Sequence, residues 1–395
     1  MPETDVRGFC ATARASYKGS SDITIQAAPG DYPRMKAAIF RELEQPLTIE
    51  EVEIDNPGPR EVLIRTVASG VCHSDLHCLH GTLPTKTPAI LGHEPAGIIE
   101  AVGSEVTAVK PGDHVIACTS IYCGNCTQCL LGRPHLCVGR ADCQRGRNEP
   151  PRLSQKGVRL TQFADLGAFA EKMLLHERAV LKIADDIPLD RAALLGCAVT
   201  TGVGAALNTA QVAPGSTVAV FGAGGVGISV IQGARIAGAR QIIAVDIRDN
   251  KLEIAKHFGA TDAINGTQVD AVREIKRLSG GGVEYSFDAI GNPKVLEQCV
   301  YCLAPRGLAT LVGAIPPDQK VEFKSGHLFV EKRIQGCYMG SNRFHLDMPK
   351  YLDLYRQGRL NLDDMVSQRG RLEDVNEAFR AMEAGEVTRT VLTFA

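Results

Sequence analysis

Between residues 36 and 185 the apolar positions come in short runs that alternate with polar ones. Glu61-Val62-Leu63-Ile64-Arg65-Thr66-Val67 and Ile98-Ile99-Glu100-Ala101-Val102 are examples. A period of two, broken repeatedly by Gly and Pro, predicts the short strands of an irregular, mostly β domain. Residues 139–166, rich in Arg, Gln and Pro, read as a surface loop. Near residue 200 the pattern changes. Thr217-Val218-Ala219-Val220-Phe221 predicts a buried strand, followed by a glycine-rich turn and an amphipathic helix over 226–237. Strand 241–245, helix 250–258, strand 262–264, helix 268–278, strand 283–288, helix 294–302 and strands 308–312 and 334–338 follow. Such alternation predicts an α/β fold with a doubly wound parallel sheet. After residue 342, helices 346–357 and 372–384 and a strand over 389–394 are expected to return to the first domain. The expected division is a tail over 1–34, a discontinuous domain over 35–199 and 342–395, and a nucleotide-binding domain over 200–341.

Composition narrows the function classes. With 395 residues, 44% of them hydrophobic and 22% charged, the chain has the make-up of a globular protein of two to three domains. Its 43 Lys and Arg against 45 Asp and Glu argue against nucleic-acid binding, which needs a basic excess. No apolar run reaches the roughly 20 residues that span a bilayer, and no membrane association is expected. Residues 1–34 lack an apolar h-region, and Glu3, Asp5 and Asp22 weaken a mitochondrial reading; a loose tail there, or a translation start at Met35, is expected instead. Thirteen cysteines, four of them crowded between 123 and 137, point to metal ligation in a reducing compartment, expected to be the cytoplasm.

Three motifs carry chemistry. Gly222-Ala223-Gly224-Gly225-Val226-Gly227 stands between the predicted strand and helix, the context a dinucleotide fingerprint needs. Its glycines allow the tight turn, the approach of pyrophosphate to the backbone and close helix–strand packing, with the helix N-terminus toward the phosphates. Asp246, ending the next predicted strand, would accept from the adenosine ribose hydroxyls and repel a 2′-phosphate, which favours NAD; Arg248 nearby leaves room for NADP. Cys123, Cys126, Cys129 and Cys137 form C-x2-C-x2-C-x7-C, a set that closes a tetrahedral structural zinc shell. Cys72, His93 and Cys197 add up to a three-ligand zinc shell with a fourth place for water or substrate, although spacing alone leaves each of them open to a structural role. Cys299 and Cys302 fall on a predicted helix and read as buried packing rather than a redox pair.

From Lys36 onward the chain resembles the zinc-dependent medium-chain alcohol dehydrogenases. The resemblance rests on Val71-Cys72-His73-Ser74-Asp75, Gly92-His93-Glu94, the four-cysteine lobe, Gly196-Cys197, the fingerprint with Asp246, and Arg389-Thr390-Val391-Leu392. It implies a GroES-like catalytic domain beside a Rossmann coenzyme domain, NAD, and two zinc ions per chain. Cys72, His93 and Cys197 would hold the catalytic zinc, a Lewis acid that brings the pKa of an alcohol toward neutrality. Ser74 would take the alcohol proton and His77 would pass it by way of the ribose hydroxyls to solvent. Asp75 would orient His93, and Glu94 would sit behind the metal. His73 and Arg389 would contact the pyrophosphate, Lys251 the adenosine ribose, and Thr201 and Val226 the nicotinamide. The resemblance also implies a homodimer or homotetramer, with strand 334–338 as the dimerising edge.

The expected activity is the interconversion of a primary alcohol and its aldehyde with NAD. Thr119, where relatives often carry a bulky aromatic, suggests a pocket for aromatic or branched alcohols. One rival within the family is oxidation of S-(hydroxymethyl) thiol adducts, but Gly81-Thr82-Leu83-Pro84-Thr85-Lys86-Thr87 lacks the acidic pair used on the glutathione adduct. A rival of another class is a non-catalytic NAD-binding relic, which would be expected to have lost a zinc ligand or Ser74.

Overall fold

A computed structural model describes residues 33–316 and 318–394; the tail expected over 1–34 lies almost wholly outside the described residues. Among these, three sheets organise the chain. The first is six-stranded, in the order Val158–Arg159, Leu153–Gln155, Thr48–Ile54, Arg34–Phe40, Ala89–Ile90, Thr161–Gln162. The second centres on Glu61–Gly70, the longest strand of the β region, paired antiparallel to Glu94–Val102 on one side. On its other side run Lys172–His176 and, near its end, Thr390–Thr393. The last strand of the chain thus lies beside Ala68, Ser69 and Gly70, immediately before Val71 and Cys72.

The third sheet is parallel throughout, in the order Asp262–Asn265, Gln241–Asp246, Thr217–Phe221, Val283–Asp288, Leu303–Leu311, Arg333–Gly336. All five residues of Thr217–Phe221 are buried, as a central strand covered on both faces requires. Helices Gly225–Ala237, Asp249–His257, Ala271–Ser279 and Pro293–Tyr301 make the crossovers. Strand order reverses between Thr217–Phe221 and Val283–Asp288, which opens a crevice at their carboxyl ends. The helices and strands expected between 217 and 394 all appear, with ends moved by a few residues; the strand expected at 308–312 begins earlier, at Leu303.

Two features depart from the sequence pattern. A helix over Ala198–Gly204, continued by a π turn over Ala205–Thr209, had no periodic signature because every residue of its first part is buried. No single helix among the described residues is long and apolar enough to cross a membrane, and this segment with its bent neighbour Leu189–Gly196 is packed in the core.

Residues 139–166 are not the surface loop expected. Leu153–Gln155 pairs with Thr48–Ile54, Thr161–Gln162 pairs with Ala89–Ile90, and Leu153, Leu160 and Leu166 are buried. The arginines that made the stretch look solvated are spent inside. Glu61 accepts from Arg145 Nη2 (2.6 Å), Arg152 Nε (2.6 Å) and the Gly58 amide (2.9 Å), while Arg145 also engages Asp55. Burial works to raise the Glu61 pKa, but Arg145 and Arg152 outweigh it and hold the carboxyl below its ordinary value. Removing one partner of such a buried cluster leaves charges uncompensated. Glu61→Ala is therefore expected to lower the unfolding free energy by about 3–5 kcal/mol, read by urea denaturation at neutral pH. Because the folded-state pKa is depressed, this contribution is present above the unfolded-chain pKa and is lost as pH falls through the folded value, so the gap to wild type narrows in acid.

Candidate active site

Cys72 and Cys197 each stand immediately before a helix, His73–Leu79 and Ala198–Gly204, and His93 lies just before strand Glu94–Val102. Chain entry into these elements aims all three side chains at one point. One ligand atom from each of Cys72, His93, Cys197 and Glu94 lies within 4.8 Å of the others, and all four residues are buried. Asp75 is fully buried and accepts from the Cys72 amide (3.2 Å), the Gly92 amide (2.9 Å) and His93 Nδ1 (3.0 Å). That leaves His93 Nε2 turned toward the two sulfurs with no protein hydrogen-bond partner. A buried imidazole nitrogen orphaned beside two thiols is what a zinc ion would satisfy. A hydrogen bond from Cys197, helped by Arg389 and His93, holds the Cys72 thiol well below its ordinary pKa against burial; the same contact, with burial, pushes Cys197 up. Ser74 Oγ lies 3.9 Å from Cys72 Sγ, and His77 stands half-buried on the same short helix with its pKa lowered by burial.

Glu94 is fully buried, and burial pushes its carboxyl up to about 8 although Arg389 opposes this. Arg389 Nη2 is 3.1 Å from Glu94 Oε1, and its Nη1 donates to the Val71 carbonyl at 2.9 Å. The same guanidinium lies against Gly225 of the fingerprint turn. Arg389 therefore touches both the thiol cluster's surroundings and the glycine turn. Within that turn Gly227 has no alternative, since a Cβ there would fall 1.8 Å from the Gly222 carbonyl oxygen. Asp246 accepts from the Ala223 amide (2.8 Å) and from Ile247 (2.8 Å) and Arg248 (3.1 Å), so its carboxylate is held beside the turn.

The other residues expected to meet the coenzyme are placed as follows. Lys251, expected at the ribose, is buried with its ammonium bonded to the Val387 carbonyl. Arg248 donates to the Glu383 carbonyl at 3.2 Å. His73 is exposed on the first turn of its helix, and Val226 is half-buried at the start of helix Gly225–Ala237. Thr201 and Thr119 are buried, and their hydroxyls meet at one thioether: Met339 Sδ lies 3.6 Å from Thr201 Oγ1 and 3.5 Å from Thr119 Oγ1. Met339 was not anticipated from the sequence. Nor was Phe163, whose ring packs edge-on against His93 at 5.4 Å, because it sits in the stretch read as a loop.

The second cluster, Cys123, Cys126, Cys129 and Cys137, also brings four ligand atoms within 4.8 Å. Sulfur separations include 3.5 Å for Cys126 and Cys129 and 3.5 Å for Cys123 and Cys137. The Cys129 backbone amide helps draw Cys126 down to about 6. The donor set is all sulfur and closed, which suits a structural zinc. Cys299 and Cys302 are buried on and just after helix Pro293–Tyr301, and burial raises both thiols.

Comparison with known proteins agrees with this geometry. Residues 58–185 match the alcohol dehydrogenase GroES-like domain and residues 225–357 match the zinc-binding dehydrogenase domain. The chain is 36% identical over 374 residues to S-(hydroxymethyl)glutathione dehydrogenase of Paracoccus denitrificans, covering 91% of this chain and 100% of that protein. An alcohol dehydrogenase zinc-binding domain protein from Burkholderia ambifaria superposes with a TM-score of 0.87 at 36% identity, covering 92% of this chain and 100% of that one. Benzyl alcohol dehydrogenase from Acinetobacter calcoaceticus gives 0.87 at 33% identity, with 92% and 100% covered. The chain belongs to the zinc-dependent medium-chain alcohol dehydrogenase family. It is an enzyme of that family, a zinc alcohol dehydrogenase, and both cysteine clusters are compatible with zinc sites.

Since Asp75 fixes the orientation of His93, Asp75→Asn is expected to weaken zinc at the Cys72 site about 10–100-fold. Chelator competition with metal analysis would check this, with the four-cysteine site keeping its ion.

Proposed function

We propose that the enzyme interconverts a primary alcohol, aromatic or branched in preference to short and linear, with its aldehyde, using NAD. The observation that carries this is the buried convergence of Cys72, His93 and Cys197 beside Ser74, near the crevice that holds the fingerprint turn. When bound there, zinc would supply Lewis acidity and NAD would accept the hydride. Ser74 would receive the alcohol proton, and His77, whose pKa burial lowers, would carry it outward. Asp75 holds His93 in one tautomer, and Arg389 with the buried Glu94 forms the floor behind it.

NAD rather than NADP is favoured because Asp246 would oppose a 2′-phosphate while Arg248 is committed to the Glu383 carbonyl. On this reading Arg389 and His73 face the pyrophosphate and Thr201 and Val226 the nicotinamide. Lys251 would act on the ribose side only through its place beside Asp246. The coenzyme domain would comprise 200–341 and the catalytic domain 35–199 with 342–395. We infer a homodimer or a homotetramer, joined at the edge strand Arg333–Gly336, where Phe329, Ile334 and Tyr338 are exposed. The twelve described cysteines are all unpaired, which fits a reducing cytoplasm.

A second reading, oxidation of an S-(hydroxymethyl) thiol adduct, is favoured by the relative from Paracoccus denitrificans. It is opposed by the absence of acidic residues from 81–87. The zinc-loaded protein is expected to reduce NAD with benzyl alcohol and no thiol present; activity only with formaldehyde and a thiol would move the assignment to the adduct. Filling the Thr119 position should narrow the pocket. Thr119→Phe is expected to lower the ratio of kcat/KM for benzyl alcohol to that for ethanol by about tenfold, the scale on which pocket size discriminates. An unchanged ratio would sink the roomy-pocket reading.

A further inference from the structure

The corner after the edge strand is made of three consecutive left-handed residues, Met339 (φ 50°), Gly340 (φ 65°) and Ser341 (φ 48°). Two of them are not glycine, so the surrounding structure must hold them there. Gly340 is pressed onto helix Ala198–Gly204, where a Cβ would come within 2.3 Å of the Thr200 carbonyl oxygen. Ser341 Oγ is bonded to Thr209 Oγ1 at 2.8 Å. The residue that closes the corner is Asn342, fully buried. Its Nδ2 donates to the Met339 carbonyl at 2.6 Å and to Ser120 Oγ at 2.9 Å. Its own carbonyl accepts from His135 Nδ1 at 3.2 Å. His135 lies inside the four-cysteine lobe, between Cys129 and Cys137. One residue thus joins Met339 and the segment carrying Thr119 through its side chain, and the lobe through its backbone carbonyl.

We propose that Asn342 is a positioning residue for alcohol oxidation: it fixes Met339 between Thr119 and Thr201, and through its contact with His135 it couples that cleft wall to the four-cysteine lobe. This rests on the reading of Thr119 and Thr201 as neighbours of alcohol and nicotinamide. The coupling is carried by a contiguous set of hydrogen bonds, and it must act in both directions. Disturbing the lobe's contact alters selectivity in the cleft, and coenzyme in the cleft protects the lobe.

The test uses the full-length, zinc-loaded protein and two variants. Asn342→Asp keeps the shape and the backbone carbonyl but removes both Nδ2 donations. His135→Phe cuts the link to the lobe without touching the cleft. Both are expected to retain two zincs per chain. Both should shift the benzyl alcohol to ethanol ratio of kcat/KM in the same direction by about threefold or more, within the range such couplings reach. An unchanged ratio in His135→Phe overturns the proposal. Should Asn342→Asp fail to fold, the reciprocal measurement on wild type decides. The rate at which Cys126 and Cys129 are alkylated, read peptide by peptide by mass spectrometry, is expected to fall about threefold with saturating NADH in wild type and not in His135→Phe. An NADH-independent rate in wild type overturns it. Failure of wild type to oxidise any alcohol would instead defeat the proposed function, while the alkylation experiment would still measure the coupling.

Discussion

The carboxylate of Asp75 is the constraint on which the centre depends. Sealed from solvent, it accepts three hydrogen bonds, from the amides of Cys72 and Gly92 and from the ring of His93. Two of the three residues of the cluster are thereby referred to one carboxylate, although they come from different elements. Such a network is valuable only when complete, because a buried carboxylate with an unfilled lone pair is costly. Here the demand for completeness sets the backbone as well as the side chains. It fixes the start of helix His73–Leu79 relative to the entry of strand Glu94–Val102, and with it the spacing of sulfur and nitrogen.

Arg389 does for the two halves of the cleft what Asp75 does within one. A buried guanidinium needs oxygen acceptors around it, and it finds Glu94 and the Val71 carbonyl on one side. Its remaining edge lies on Gly225 of the fingerprint turn. The positive charge therefore sits between the thiol cluster and the glycine turn. The high pKa of Glu94 belongs to the same balance, since burial and a nearby thiolate disfavour a second anion there.

Motifs with local spacing were legible in the sequence. The four-cysteine lobe, the glycine turn and the alternation of strand and helix after residue 217 each declare themselves within a few tens of residues, because local geometry alone creates the function. Cys72, His93 and Cys197 were legible as a candidate ligand set by residue type, but nothing in their separation says that they meet, and the resemblance supplied that. Residues 139–166 misled because arginine reads as solvated, whereas Arg145 and Arg152 are turned inward by Glu61. Met339, Phe163 and Asn342 carried no signal at all. Their importance lies in long-range contacts, and a methionine, a phenylalanine or an asparagine is unremarked until its neighbours are known. Lys251 shows the reverse: its position matched the resemblance, but its ammonium is taken by Val387.

The placement of strand Thr390–Thr393 has a consequence for how the protein is made. It lies along the end of Glu61–Gly70, and Arg389 enters the cleft just before it. The four-cysteine lobe is complete in a short stretch of chain and can close as soon as that stretch leaves the ribosome. The other cluster cannot, because Arg389, beside Glu94, lies far beyond Cys197 in the sequence. Closure of the four-cysteine lobe is therefore local, whereas the surroundings of the second cluster wait on a long-range pairing. Losing Arg389 would leave the lobe intact while taking the guanidinium from Glu94, the Val71 carbonyl and Gly225.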